Sequence, residues 1–140
     1  SRMVIDIMKK MSLFFLIIMV LIVCILTGCA KKDKSDIVKE SFDLQEISIT
    51  LYNKKCINVT ESEKMQDIVK VINDTTSKKE ESTQDVPDVD KYGKIVLMSK
   101  ENEKTLYYYE KKDKYYIEEP YVGIYQHTQN LNEYFNSIME

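Results

Sequence analysis

Fourteen consecutive apolar residues, Leu13 to Leu26, divide this 140-residue chain into two parts. As a helix rising about 1.5 Å per residue the run spans roughly 21 Å, short of a hydrocarbon core about 30 Å thick. Lys9 and Lys10 precede it, and the small residues Thr27 and Gly28 follow it. A basic start, a short apolar stretch and small residues after it describe a secretory signal peptide rather than a spanning helix. Met8 is the expected initiator, with Met3 as the alternative. Residues 1–28 are then expected to be signal peptide with upstream residues.

The four residues that close the run, Leu26-Thr27-Gly28-Cys29, resemble the bacterial lipobox. That resemblance implies cleavage before Cys29 and a diacylglycerol, with palmitate-type chains, in thioether linkage to its sulfur. Acyl chains bury about 0.8 kcal/mol per CH₂, so two give stable anchoring where one is marginal. The expected location is the outer face of the cytoplasmic membrane. Cys24 lies inside the apolar run, which leaves Cys56 as the free thiol of the processed chain. No internal disulfide is then available. Cys56 is expected as a small buried side chain beside Ile57.

Removing residues 1–28 takes Arg2, Lys9, Lys10 and Asp6 from the 20 basic and 23 acidic residues. That leaves 17 and 22, a net charge of −5. Nucleic-acid binding needs a basic footprint, so an acidic exported chain argues against it. Residues 29–45 are largely polar and are expected to be the lipidated cysteine and a tether. Lys31, Lys32 and Lys34 lie next to the lipid, where they either meet anionic head groups or are ordinary solvated linker.

A single domain is expected over residues 46–140. Ile47, Ile49 and Leu51 alternate with polar residues, as a half-buried strand does. A turn and a second strand, Cys56–Val59, follow. Thr60 and Glu63 have capping-box spacing, and Met65, Ile68, Val69 and Ile72 fall on one helical face. Residues 73–91 are nearly all polar and are expected to be a long loop. Its Asp85, Asp88 and Asp90 lack the alternating ligands and central glycine of a calcium loop, so no metal is expected. Tyr92–Ser99, Lys104–Glu110 and Lys114–Glu119 read as a three-stranded meander that Pro120 ends, with Gly123 as a bend. Asn130 and Glu133 again have N-cap spacing, ahead of a helix whose face holds Leu131, Tyr134, Phe135 and Ile138. The order ββα-βββα predicts an α+β fold, an antiparallel sheet of about five strands with two helices on one face.

Seven of the ten tyrosines fall between Leu106 and Tyr125. Side chains alternate across a strand, so Tyr107 and Tyr109 share the face opposite Leu106 and Tyr108. Tyrosine buries apolar area yet keeps a hydroxyl for a partner. Tyr107, Tyr109, Tyr121 and Tyr125 are therefore candidates for a contact surface, and cross-strand packing is the competing explanation. The stretch Tyr115-Tyr116-Ile117-Glu118-Glu119-Pro120-Tyr121-Val122-Gly123-Ile124-Tyr125 is similar to one in a family of small predicted lipoproteins of Gram-positive bacteria, catalogued as a domain of unknown function. Their stretch reads Lys-Tyr-Tyr-Ile-Glu-Gln-Pro-Tyr-x-Gly-Ile-Tyr, and this chain has Glu119 at the glutamine. The resemblance covers roughly residues 45–135 and carries no functional residues over.

Catalysis finds little support. His127 is expected in an exposed loop before the last helix, and no local signature joins it to Cys56 as a dyad. There is no serine elbow, phosphate loop or zinc spacing. No cofactor is expected beyond the covalent lipid. The expectation is a non-catalytic binding or interaction module with a protein or peptide partner. The alternatives are an immunity or inhibitor lipoprotein that sequesters a peptide or secreted enzyme, and an accessory subunit of an envelope transporter or sensor.

Overall fold

A computed structural model describes residues 2–28 and 36–139, without the side chains of residues 23–28, 77 and 78. The chain divides into two compact units, Ser1–Lys34 and Ser35–Glu140. In the first, α1 (Arg2–Gly28) is one helix of 27 residues with no proline to break it. Its described side chains are exposed. Among the described residues no helix is long and apolar enough to cross a membrane. Cys29 lies outside the described residues, as do Lys31, Lys32 and Lys34, and the side chains of Leu26, Thr27 and Gly28 are among those not described.

The second unit is α+β, and its described strands form one antiparallel sheet. The alternation at 46–50 makes β1 (Glu46–Thr50), with Ile47 and Ile49 fully buried. It pairs with β2 (Cys56–Val59) and β4 (Gly93–Met98). Successive antiparallel partners are β5 (Glu103–Lys111), β6 (Lys114–Glu119), β7 (Gly123–His127) and β3 (Thr75–Glu80). The sheet order is β2-β1-β4-β5-β6-β7-β3, seven strands. One face, here the inner face, carries Ile47, Ile49, Ile95, Leu97, Leu106, Tyr108, Ile117 and Tyr125. Helices α2 (Ser62–Ile72) and α3 (Leu131–Ile138) supply Met65, Ile68, Ile72, Leu131 and Phe135 to the same core. Asn130 caps α3 by accepting from the Glu133 amide at 3.2 Å.

Two strands exceed the expected five. β3 reads Thr-Thr-Ser-Lys-Lys-Glu and lies within the expected loop 73–91. It is an edge strand paired on one side alone, so it needs no apolar alternation, and lysines on such an edge discourage further pairing. Only 81–92 remains as a connecting segment. β7 starts at Gly123, where a bend was expected. A methyl group there would stand 2.5 Å from Lys79 Cε and 3.3 Å from the Glu80 carbonyl oxygen, so this glycine suits the close pairing of β3 beside β7.

Other expectations change with these strands. His127 belongs to β7 and is buried. Its Nε2–H donates to the Val71 carbonyl at 2.6 Å, while Nδ1 accepts from the Gln129 amide at 3.1 Å. Cys56 is exposed, because its register partner Thr50 faces away from the helices. The cap of α2 is Glu61, one residue past Thr60, and its side chain makes no capping bond. The expected tether is shorter as well. Ile37 and Val38 are buried in the core. Asn73 bonds both the amide and the carbonyl of Val38, at 2.9 and 3.0 Å, and Lys104 Nζ donates to the Ile37 carbonyl at 2.9 Å.

Candidate binding site

The face of the sheet away from the helices is polar toward β2 and aromatic toward β5 and β6. Cross-strand register puts Tyr107 opposite Glu118 and Tyr109 opposite Tyr116 on this outer face. Tyr109 and Tyr116 stack at 5.6 Å between ring centroids, with 25° between planes. Tyr107 meets the edge of Tyr92 at 5.4 Å and 85°. The segment 81–92 leaves β3 and lies over these residues as a strap. It is held by side chains: the loop and turn backbone hydrogen bonds of the described residues include none from 81–92.

Glu118 is the centre of this arrangement. It is 1% exposed, although β6 places it on the outer face. The strap buries it. Ser82 Oγ donates to its Oε1 at 2.7 Å, and Gln84 Nε2 donates to the same oxygen at 3.4 Å. Oε2 is buried with no hydrogen-bond partner. Tyr109's hydroxyl lies against the carboxylate: burial first, then the charge of Glu118 and a hydrogen-bond contact with it, holds that hydroxyl well above the ordinary tyrosine value. No donor meets hydrogen-bond geometry at Oε2 itself. A buried carboxylate usually has a cation beside it, since an unpaired one costs several kcal/mol; the described ion pairs do not include Glu118.

The strap's second fixed point is the turn between β6 and β7. The Val122 amide donates to the Glu119 carbonyl at 3.0 Å, with Pro120 and Tyr121 between them. Tyr121 has φ 62°. Proline first and a positive φ second is the arrangement of a type II turn, whose second central position belongs to glycine or asparagine. A tyrosine there is a backbone outlier. Its ring is 64% exposed, and its hydroxyl donates to Asp85 of the strap. That bond, first among the causes, raises the Tyr121 hydroxyl above its ordinary value. Val122 and Val86 are exposed beside the two bonded residues in sequence, at 45% and 41%.

The four tyrosines expected as a contact surface do not form one patch. Tyr121 is exposed, Tyr107 half-buried, and Tyr109 buried beneath the strap. Tyr125 faces the helices, 7% exposed, with Lys79 Nζ 5.5 Å from its ring centroid. Glu118 was readable only as one of two acids on opposite faces. Glu119 does take the inner face, 3.5 Å from Lys104 Nζ. The signal for Glu118 was its place between outer-face tyrosines, next to a polar segment rich in donors.

Elsewhere, two open clefts of about 320 and 530 Å³ share Lys91 and Glu110. Their walls mix both charge signs, and Tyr52 borders the smaller, its hydroxyl pushed up to about 12 by burial and then by Glu110. Cys56 and His127 lie on strands five places apart in the sheet order, roughly 24 Å at 4.8 Å per strand, so they make no dyad. Among the described residues no three His, Cys, Asp or Glu side chains are grouped to hold a metal ion.

The profile of the family DUF5301, described as a domain of unknown function (DUF5300), matches residues 32–126. The chain is similar to the NMR structure of a protein from Ruminococcus gnavus, at 32% identity and a TM-score of 0.62. The match covers 69% of this chain and 95% of that one. No curated protein matches.

Proposed function

The chain belongs to this family of domains of unknown function, and from that premise we propose that it is a non-catalytic binding module, held at the outer face of the cytoplasmic membrane by diacylglycerol on Cys29. The lipobox order Leu26-Thr27-Gly28-Cys29 directly after the apolar run supports the anchor. Buried Ile37 limits the module's reach. Eight Cα steps from Cys29 to Ile37 extend to at most roughly 28 Å. The partner is therefore a protein or peptide met close to the bilayer.

One observation carries the binding role. Tyr121 occupies a backbone position at φ 62° that glycine would fill without strain, and it displays its ring to solvent. The backbone there does not favour tyrosine; the hydroxyl bond to Asp85 and an exposed ring that can meet a partner do. Tyr121→Gly separates the two causes. In crosslinking and pull-down from cells carrying the full-length protein, the variant is expected to keep or raise the Tm and to lose the partner. A fall in Tm with partner capture intact would make Tyr121 a packing residue. Globomycin, which blocks lipoprotein processing, is expected to leave a larger, uncleaved chain; an unchanged mass would remove the anchor.

A further inference from the structure

Protonation does not satisfy the free oxygen of Glu118. As a carboxylate, Oε2 needs a donor; as a carboxylic acid, its hydroxyl needs an acceptor. No group meets hydrogen-bond geometry at Oε2, although the Tyr109 hydroxyl lies in contact with the carboxylate. Ser82 and Gln84 both address Oε1 and leave Oε2 turned away from the strap's donors. Beside Glu118 on the outer face stand tyrosines, Tyr107 across the strand pair, Tyr116 two residues back and Tyr109 stacked on Tyr116, with a second carboxylate, Glu80, in register beyond Ile124. A carboxylate among tyrosine rings is the chemistry that recognises an organic cation, since the charge pairs with the oxygen and the ring faces attract the same positive group.

We propose that Glu118 Oε2, with Tyr109 and Tyr116 as walls, seats one organic ammonium or guanidinium group of the kind a lysine or arginine side chain presents. The inference rests on the binding-module reading and names the ligand chemistry of the strap site. Entry requires strap residues 82–85 to lift. Four side-chain groups oppose this: Ser82 and Gln84 on Glu118, and Asp85 with Tyr121. A partner that engages Tyr121 competes with Asp85 for its hydroxyl, and so loosens the strap from the end nearest Glu118. The cation then pairs with Oε2 through a charge-assisted bond, stronger than the bonds that the neutral donors make to Oε1. The acidic balance of residues 29–140 fits a basic partner segment.

The test uses the full-length protein in detergent micelles. The probes are n-butylammonium chloride and, separately, methylguanidinium chloride, with sodium chloride as the ionic-strength control. The readout is the ring signals of Tyr109 and Tyr116 by NMR. Saturable shifts with either organic cation and none with sodium are expected, weakened tenfold or more in Glu118→Gln. Ser82→Ala keeps the carboxylate and removes one strap bond, so it is expected to respond at least as tightly as wild type. It also decides the question should Glu118→Gln fail to fold. No saturable shift in wild type and Ser82→Ala, or an equal response in a folded Glu118→Gln, overturns the proposal and leaves Oε2 to a buried water. That result would leave partner capture through Tyr121 standing. Cation binding without any partner capture would fail the binding-module reading instead.

Discussion

Gly93 has no room for a methyl group. A Cβ there would stand 1.9 Å from Tyr108 Cζ, because the ring of its β5 partner lies flat across the glycine. The same ring stacks on Tyr52 and meets the edge of Phe135, both at 5.4 Å. Its hydroxyl donates to Asn132 Oδ1 at 3.1 Å and so joins α3 to the sheet. Gly93→Ala must push this ring out of a packed layer, and an overpacked core loses typically about 1–3 kcal/mol. Urea unfolding is expected to show a loss in that range. Tyr108→Phe keeps the packing and gives up the hydroxyl, about 1 kcal/mol. A Gly93→Ala loss no larger than that of Tyr108→Phe would mean the ring has somewhere to go. His127 is a parallel case at the other end of the sheet. His127→Phe strands the Val71 carbonyl and the Gln129 amide, and about 1–3 kcal/mol is expected to go.

At the scale of elements, what the sequence displayed depended on how many neighbours each element has. β1 and β4 lie between two strands and under the helices, so the alternation at Ile47 and Ile49 was plain, and Ile95 and Leu97 are buried on the same face of β4. β3 has one strand neighbour and no apolar residue, and its pairing with β7 is interrupted by a register shift between Thr75 and Lys79. A polar edge strand and a polar loop have the same composition, so only the tertiary partner distinguishes them. The strap hid the site for the same reason. Its hold on Glu118 uses Ser82 and Gln84, residues common in any loop. Ile37 and Val38 are two apolar residues without a period, and nothing local marked them as docked. Their docking predicts what the tether reading does not. Ile37→Ala should cost about 2–4 kcal/mol, as truncation of a buried isoleucine does. Asn73→Ala should cost about 1–3 kcal/mol by freeing both backbone groups of Val38. Thermal melts of the full chain check both, at roughly 4–8 °C per kcal/mol for a domain this small. Unchanged melts would return residues 36–45 to the status of linker.

Over the whole molecule, the tyrosines tie stability to alkaline pH. Burial raises the hydroxyls of Tyr52, Tyr107, Tyr108 and Tyr109; Tyr52 reaches about 12, with Glu110 and Tyr115 adding to the effect. In the unfolded chain each returns to about 10. Above pH 10 the unfolded chain releases protons that the folded chain keeps, so stability falls with rising pH. The contribution is complete below pH 10 and is lost as pH climbs through the folded values. Between pH 7 and 9 these residues therefore produce no slope. A tyrosinate titration followed at 295 nm, with circular dichroism on the same samples, is expected to show two phases. Some of the ten tyrosines ionise near pH 10 with the fold intact. The rest ionise together with loss of structure at higher pH, because removing their protons and unfolding are linked. Tyr109 belongs to the second phase in wild type. Glu118→Gln removes the neighbouring charge and should lower Tyr109's ionisation toward the first. Ten tyrosines titrating as one group near pH 10 in a protein that stays folded would contradict the buried placement of Tyr108 and Tyr109. It would also take away the walls of the cation seat at Glu118.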